Sequence, residues 1–126
     1  TMYTKELRIG NILNGENGPV IVCALNDYNR VAVKYPNNAP LFAQEAKEIS
    51  IEPIPLTEDI LLKCGFEAHY LGIKTYYNPL LELDHEFKLM GVDRSIKVIY
   101  LHQLQNIFFA LTGEELNINY YLFGII

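Results

Sequence analysis

Acidic side chains and one histidine are concentrated in a short segment, and they are the residues best suited to acid–base or metal chemistry. Glu82, Asp84 and Glu86 are spaced so that in a strand they share one face, while His85 points to the other face. A metal site needs ligands that converge from several directions, and a single chain segment does not supply such convergence. We therefore expect a solvated acidic strand face and no metal site.

The densest group of polar side chains is the segment from His102 to Asn106. In a helix, this spacing places His102, Gln105 and Asn106 near one face. One interpretation is a surface that recognises a base edge, a peptide backbone or a partner subunit. The other is that these side chains satisfy backbone groups at the start of the helix and in neighbouring strands. The three residues are thus candidates for an interaction surface, with both interpretations open.

Side chains that could act as nucleophiles do not lie in a nucleophile motif. They are Ser50, Ser95, Cys23 and Cys64. None of them lies in a glycine-flanked elbow, and the early glycines do not form a phosphate-binding loop that leads into a helix. Both cysteines lie in apolar runs, which favours buried, reduced thiols. We predict no catalytic residue and no cofactor, and we keep as an alternative a small metal-dependent or hydrolytic enzyme that uses His85 or His102.

The charge balance disfavours sequence-independent binding of phosphates. The chain has 10 basic and 15 acidic residues, for a formal net charge of -5. Up to Leu56 there are 5 basic and 6 acidic residues, which leaves 5 basic and 9 acidic residues after it. The less acidic first part is the better place for an anionic partner, with Arg8, Arg30 and Lys34 as candidate contacts for an anion or nucleic acid. A nucleic-acid-binding small barrel is therefore a second alternative.

The first part of the chain has the pattern of several short strands. Residues 7–13, 20–25 and 30–35 are alternating or apolar runs separated by turn-forming residues. The segment 41–51 is compatible with a strand, a loop or one helical turn. This layout resembles that of a Src-homology-type small barrel, and it predicts a small, strongly bent β-barrel-like unit over residues 1–54.

The second part begins after a proline-containing hinge at Glu52–Leu56. Thr57 has the features of a helix N-cap, and Gly65 those of a C-terminal cap. Three segments with β-type patterns follow, which we interpret as an antiparallel meander. They are Ala68–Tyr77, Leu80–Met90 and Ser95–Tyr100.

Apolar residues then recur with helical spacing over Leu101–Leu111, and Gly113 is expected to end this helix. The predicted fold is therefore α+β. The N-terminal small β-barrel-like sheet is followed, over residues 55–126, by a helix–three-stranded antiparallel meander–helix unit with an apolar C-terminal tail.

The tail is the main candidate for self-association. Tyr120, Tyr121 and Phe123 belong to an apolar run that would leave an exposed patch unless it were covered. No apolar stretch reaches the roughly 20 residues that a membrane span needs. The first residues have no apolar segment like that of a signal peptide. We therefore expect a cytoplasmic protein with no membrane association.

Five segments together resemble one family. They are Glu6–Asn11, Ile51–Glu58, Leu62–Glu67, His102–Asn106 and Leu111–Leu116. The family consists of small uncharacterised proteins from gut-dwelling anaerobic bacteria and their phages or prophages. The resemblance implies a mobile-element context, with no known activity and no catalytic residues to carry over. The function predicted from the sequence is a non-enzymatic interaction or adaptor module that binds a protein partner.

Overall fold

The computed structural model describes residues 6–16, 18–25, 31–35, 44–45, 51–70, 72–93 and 95–118. The chain divides into two compact units, with the boundary between Ile54 and Pro55. This boundary lies within the segment predicted as a proline hinge. The candidate residues Arg30, Tyr120, Tyr121 and Phe123 lie outside the described residues, as do most of residues 41–51.

The N-terminal unit contains a four-stranded antiparallel sheet. Its strands are β1 (Ile12–Gly15), β2 (Gly18–Leu25), β3 (Val31–Lys34) and β4 (Gln44–Glu45), in that order across the sheet. The alternating patterns of β2 and β3 bury one face of the sheet. The core on that face is formed by Leu7, Leu13, Val20, Val22, Val31 and Val33. Among the described strands β1 and β4 are the two edges, so the barrel-like closure predicted for this unit is not confirmed.

The C-terminal unit begins with the short helix α1 (Glu58–Lys63). The hydroxyl of Thr57 accepts a hydrogen bond from the Ile60 N–H at 3.2 Å, as an N-cap does. Glu58 and Asp59 lie in the first turn, where the helix dipole favours negative charge. The predicted start of this helix is thus confirmed.

The end of α1 is closed by two backbone hydrogen bonds. Gly65 adopts a left-handed conformation with φ of 86°. Its N–H donates to the Leu62 carbonyl, and the N–H of Phe66 donates to the Leu61 carbonyl. This pair of hydrogen bonds defines a Schellman motif, in which a glycine avoids the steric penalty of positive φ. The predicted role of Gly65 is confirmed.

The second sheet has three short antiparallel strands. They are β5 (Glu67–His69), β6 (Thr75–Tyr77) and β7 (Glu82–Leu83), in that order. The segment Ala68–Tyr77, which was predicted as one strand, is a hairpin whose turn contains Gly72 with φ of 80°. Apolar and aromatic residues continue through the turn of this hairpin. The sequence pattern therefore does not indicate that the chain reverses direction there.

The other two predicted strands are also shorter than expected. Within Leu80–Met90 the strand is confined to β7, and the chain then turns back so that Leu83 and Leu89 form an isolated bridge. The segment Ser95–Tyr100 is not a strand, although Lys97 forms a bridge with Lys88. The meander predicted for this unit therefore exists, but its strands lie earlier in the chain.

The last described element is the helix α2 (Leu101–Thr112). Leu101, Leu104 and Phe108 are buried along it, and Gly113 ends it with φ of 75°. The predicted helix and its stop are thus confirmed. In the part of the chain that the structure describes, neither helix combines the length and the apolar composition of a membrane-spanning segment.

Candidate functional site

The polar residues of α2 do not form the exposed face that their types suggested. His102 is 3% exposed and Gln105 is 4% exposed, while Asn106 is half-buried. At about 100° per residue, Gln105 lies only about 40° from Leu101, so it belongs to the buried stripe. The structure therefore corrects the expectation of an interaction surface built from His102, Gln105 and Asn106.

The start of α2 supports the structural interpretation of this polar segment. The Gln103 side-chain oxygen accepts hydrogen bonds from the N–H groups of Ile99 and Tyr100 at 3.0 and 3.1 Å. The His102 ring stacks on the Tyr100 ring, with centroids 5.8 Å apart and planes inclined by 12°. These contacts fix the entry of the chain into the helix.

The acidic segment is a turn rather than a solvated strand face. Asp84 is 2% exposed, and its Oδ1 accepts hydrogen bonds from the N–H groups of Glu86 and Lys88 at 2.8 and 3.0 Å. Between them Phe87 has φ of 64°, which is unusual for an aromatic residue. The buried carboxylate thus organises a tight turn, which corrects the prediction that Asp84 shares an exposed face with Glu82 and Glu86.

The remaining acids of this segment are exposed, as is His85. His85 Nε2 lies 3.6 Å from Glu86 Oε1, and Lys88 Nζ lies 3.8 Å from the same atom. Within the described ranges, no three His, Cys, Asp or Glu side chains are grouped so that they could hold a metal ion. The contact between Lys88 and Glu86 is a loose pair of surface charges.

A second charged group joins α1 to the hairpin. Lys74 Nζ donates to Glu58 Oε1 at 3.1 Å and lies 4.6 Å from the centre of the Tyr70 ring. The Tyr70 hydroxyl donates to the same carboxylate oxygen at 3.3 Å. The hydrogen bond from Lys74 lowers the pKa of Glu58, and in return it raises the pKa of Lys74. Both groups therefore keep their charges around neutral pH.

The exposed face of the second sheet carries a third polar group. The Tyr77 hydroxyl donates to Glu67 Oε2 at 2.5 Å, and this bond raises the pKa of the phenol. The His69 ring lies against the Tyr77 ring, with a centroid separation of 4.0 Å. Cross-strand pairing explains this group, because Glu67 lies directly opposite Tyr77 in the register.

The C-terminal unit contains an open cleft of about 570 Å³. Its walls come from the end of α1, the loop between β6 and β7, the last turns of α2 and the segment after α2. Three buried side chains, Cys64, Phe108 and Leu116, line its apolar floor. Its rim carries Leu80, which is 50% exposed, and the exposed carboxylates Glu114 and Glu115.

The loop that places Leu80 on the rim is fixed by an asparagine. Asn78 Oδ1 accepts hydrogen bonds from the N–H groups of Leu80 and Leu81 at 2.9 and 2.8 Å. Leu81 is buried while Leu80 faces outward. An asparagine that bonds to the backbone two and three residues later makes a compact turn. This turn therefore holds the Leu80 side chain half-exposed beside the apolar floor of the cleft.

The thiol in the cleft floor is buried and protonated. Cys64 is 2% exposed, and burial raises the pKa of its thiol to about 12. Thiolate is the nucleophilic form, and it is almost absent at neutral pH for such a group. The other cysteine, Cys23, lies at a bulge in β2 and donates through its sulfur to the Ala32 carbonyl at 3.2 Å. Both described thiols are free.

The candidate anion contacts of the N-terminal unit are only partly described. Arg8 lies in a turn before β1, where its N–H donates to Asn11 Oδ1 at 2.7 Å. Lys34 ends β3, and both side chains are half-buried. Anion or nucleic-acid contact through Arg8, Arg30 and Lys34 stays a prediction.

No family model, curated protein or solved structure matches the chain.

Sequence reasoning missed the cleft. Its lining residues come from four separate segments, and their spacing carries no periodic signal. Gly65 was recognised as a helix cap, but only the folded chain brings it beside Phe108 and Leu116.

Proposed function

We propose that this protein is a non-enzymatic interaction module that binds a partner protein through the cleft of its C-terminal unit. The phage or prophage origin implied by the resemblance, and a cytoplasmic location, are parts of the same proposal. The observation that carries it is the cleft itself, with its apolar floor and the half-exposed Leu80 on its rim. Protein-binding sites commonly combine an apolar centre with a polar rim, and an anchoring side chain from the partner fills the centre.

The charge states of three groups in the C-terminal unit support a binding role over a catalytic one. The Cys64 thiol has a pKa of about 12, far from the range in which it could act as a nucleophile. The Glu58 and Lys74 pKa values move apart from each other and away from neutrality. General acids and bases work best with a pKa near the operating pH. These groups therefore suit fixed structural charges better than proton transfer.

The test is selection of binding peptides from a random display library on the full chain. Peptides that bind the cleft are expected to contact Leu80, so Leu80→Ser should weaken them about fivefold, since roughly half of a leucine's burial energy is lost. The matched control is Val92→Ser, which removes an apolar side chain that is 60% exposed and lies outside the cleft.

Binding that weakens in Leu80→Ser and persists in Val92→Ser supports the proposal. A library that yields no binding peptides contradicts it. Peptides that bind both variants as well as the unaltered chain also contradict it, because their contacts would then lie elsewhere.

A further inference from the structure

The charged residues that line the cleft are both acidic. Glu114 and Glu115 are the charged residues among those that line it, and both are exposed. The two carboxylates lie beside the apolar floor, because Phe108 and Leu116 line the same cleft. An occupant that matches this surface needs an apolar part and a cationic part.

The end of α2 adds to the same potential. Glu114 follows two residues after α2, whose last turn has no basic residue. The C-terminal end of a helix carries partial negative charge. The six-residue helix α1 also ends at the cleft, but its last turn carries Lys63 and its Leu61 and Leu62 carbonyls accept backbone hydrogen bonds. The preference for a cation therefore comes from the two carboxylates and the end of α2.

Local hydrogen bonds fix the backbone of Glu114 relative to the end of α2. The Thr112 hydroxyl donates to the Phe108 carbonyl at 2.7 Å and accepts from the Glu114 N–H at 3.1 Å. Gly113 reverses the chain direction with φ of 75°. The backbone of Glu114 is thus tied to the turn of α2 that supplies Phe108.

We propose that the cleft binds a segment of a partner protein in which a lysine or arginine stands next to a leucine or phenylalanine. This inference rests on the proposed function and names the chemistry of the partner. The apolar side chain packs on the floor beside Leu80, and the cationic group lies between the rim carboxylates. The chain's own residues 119–126 contain no lysine or arginine, so they do not match the charge of the rim.

The experiment measures binding of defined peptides to the full chain by fluorescence anisotropy. The probe is Gly-Ser-Leu-Arg-Phe-Lys-Ser-Gly with blocked ends and an uncharged label. Two further peptides replace both basic residues with glutamine or with glutamate. A fourth carries the sequence of residues 119–126. The protein variants are Glu114→Gln/Glu115→Gln and the control Glu82→Gln/Glu86→Gln, which changes the net charge equally at exposed acids outside the cleft.

The basic peptide should bind about fivefold more tightly than the glutamine peptide at low salt, and the glutamate peptide should bind still more weakly. Glu114→Gln/Glu115→Gln should weaken the basic peptide about fivefold and reduce its salt dependence. The control variant should stay within about twofold of the unaltered chain, because neither Glu82 nor Glu86 lines the cleft.

Equal affinity for the basic and glutamine peptides, with a loss in Leu80→Ser, would overturn the basic-segment inference and leave the interaction module standing. Peptides that bind the Leu80→Ser variant as tightly as the unaltered chain would overturn both the basic-segment inference and the proposed interaction module. Tighter binding of the 119–126 peptide than of the basic peptide would also overturn the inference, because the cleft would then be a site for the chain's own tail.

Discussion

At the scale of single residues, ionisable groups of the C-terminal unit are fixed by their neighbours in one charge state. The ion pair with Lys74 keeps Glu58 ionised, and burial keeps the Cys64 thiol protonated. Asp84, whose side chain is buried, serves the backbone of its own turn. Residue types that suggest chemistry in the sequence therefore act here as structural groups.

The state of Cys64 predicts very slow reaction with thiol reagents. In a Cys23→Ser variant, only Cys64 can react with a disulfide reagent. With a pKa of about 12, about one thiol in ten thousand is ionised at pH 8, against about a quarter for an ordinary thiol. The native chain should therefore react at least about a thousandfold more slowly than the same chain in denaturant. Similar rates in the two conditions would show that Cys64 is neither buried nor shifted.

At the scale of elements, hydrogen bonds from side chain to backbone set the chain reversals of the C-terminal unit. Asn78 holds the loop before β7, and Asp84 holds the turn after it. The Asp84 turn contains Phe87 with φ of 64°, and the Phe87 ring packs against the Tyr76 ring with centroids 5.5 Å apart. That ring contact and the Asp84 hydrogen bonds offset the cost of the unusual backbone.

The Asp84 turn predicts a loss of stability on removal of its carboxylate. Asp84→Ala leaves two backbone N–H groups without their acceptor, which should lower the free energy of unfolding by about 2 kcal/mol. Asp84→Asn keeps the Oδ1 acceptor and should lose less than half as much. Urea denaturation measures both variants. An Asp84→Ala protein within about 0.5 kcal/mol of the unaltered chain would contradict this account of the turn.

Local signals predicted the helices and the strands β2 and β3 well, and the strands of the C-terminal unit poorly. Thr57 and Gly65 were recognised because caps are encoded within one turn of the chain. The β5–β6 hairpin was missed because β-type residues run through its turn, with Gly72 as a weak marker. Asp84 was predicted to be exposed, but its side chain is buried. Its burial depends on the return of the chain that pairs Leu89 with Leu83, and no spacing of residue types predicts that return.

At the scale of the whole molecule, the net charge favours the same class of partner as the cleft does. The formal charge is -5, and most of it lies after Leu56, in the part of the chain that contains the cleft. A field of one sign raises the rate at which an oppositely charged partner meets the protein, and salt weakens this effect. A basic segment of a partner protein is therefore favoured both by the net charge of the chain and by the carboxylates on the rim of the cleft.

Self-association through the tail is the whole-molecule prediction that comes from the sequence alone. Tyr120, Tyr121 and Phe123 lie outside the described residues, so their role stays a prediction. Light scattering should give a dimer or larger species for the full chain and a monomer for a chain that ends at Asn119, because the truncation removes the apolar run. Monomers in both cases would contradict this prediction.

The central claim is that the cleft of the C-terminal unit is where a partner binds. Titration of the full chain with Gly-Ser-Leu-Arg-Phe-Lys-Ser-Gly, followed through backbone amide signals by NMR, tests it most directly. The account predicts saturable shifts that are largest at Leu80, Phe108 and Leu116, with little change at Ile73 or Val92. No shifts at high peptide concentration, or the largest shifts at Ile73 and Val92, would contradict it.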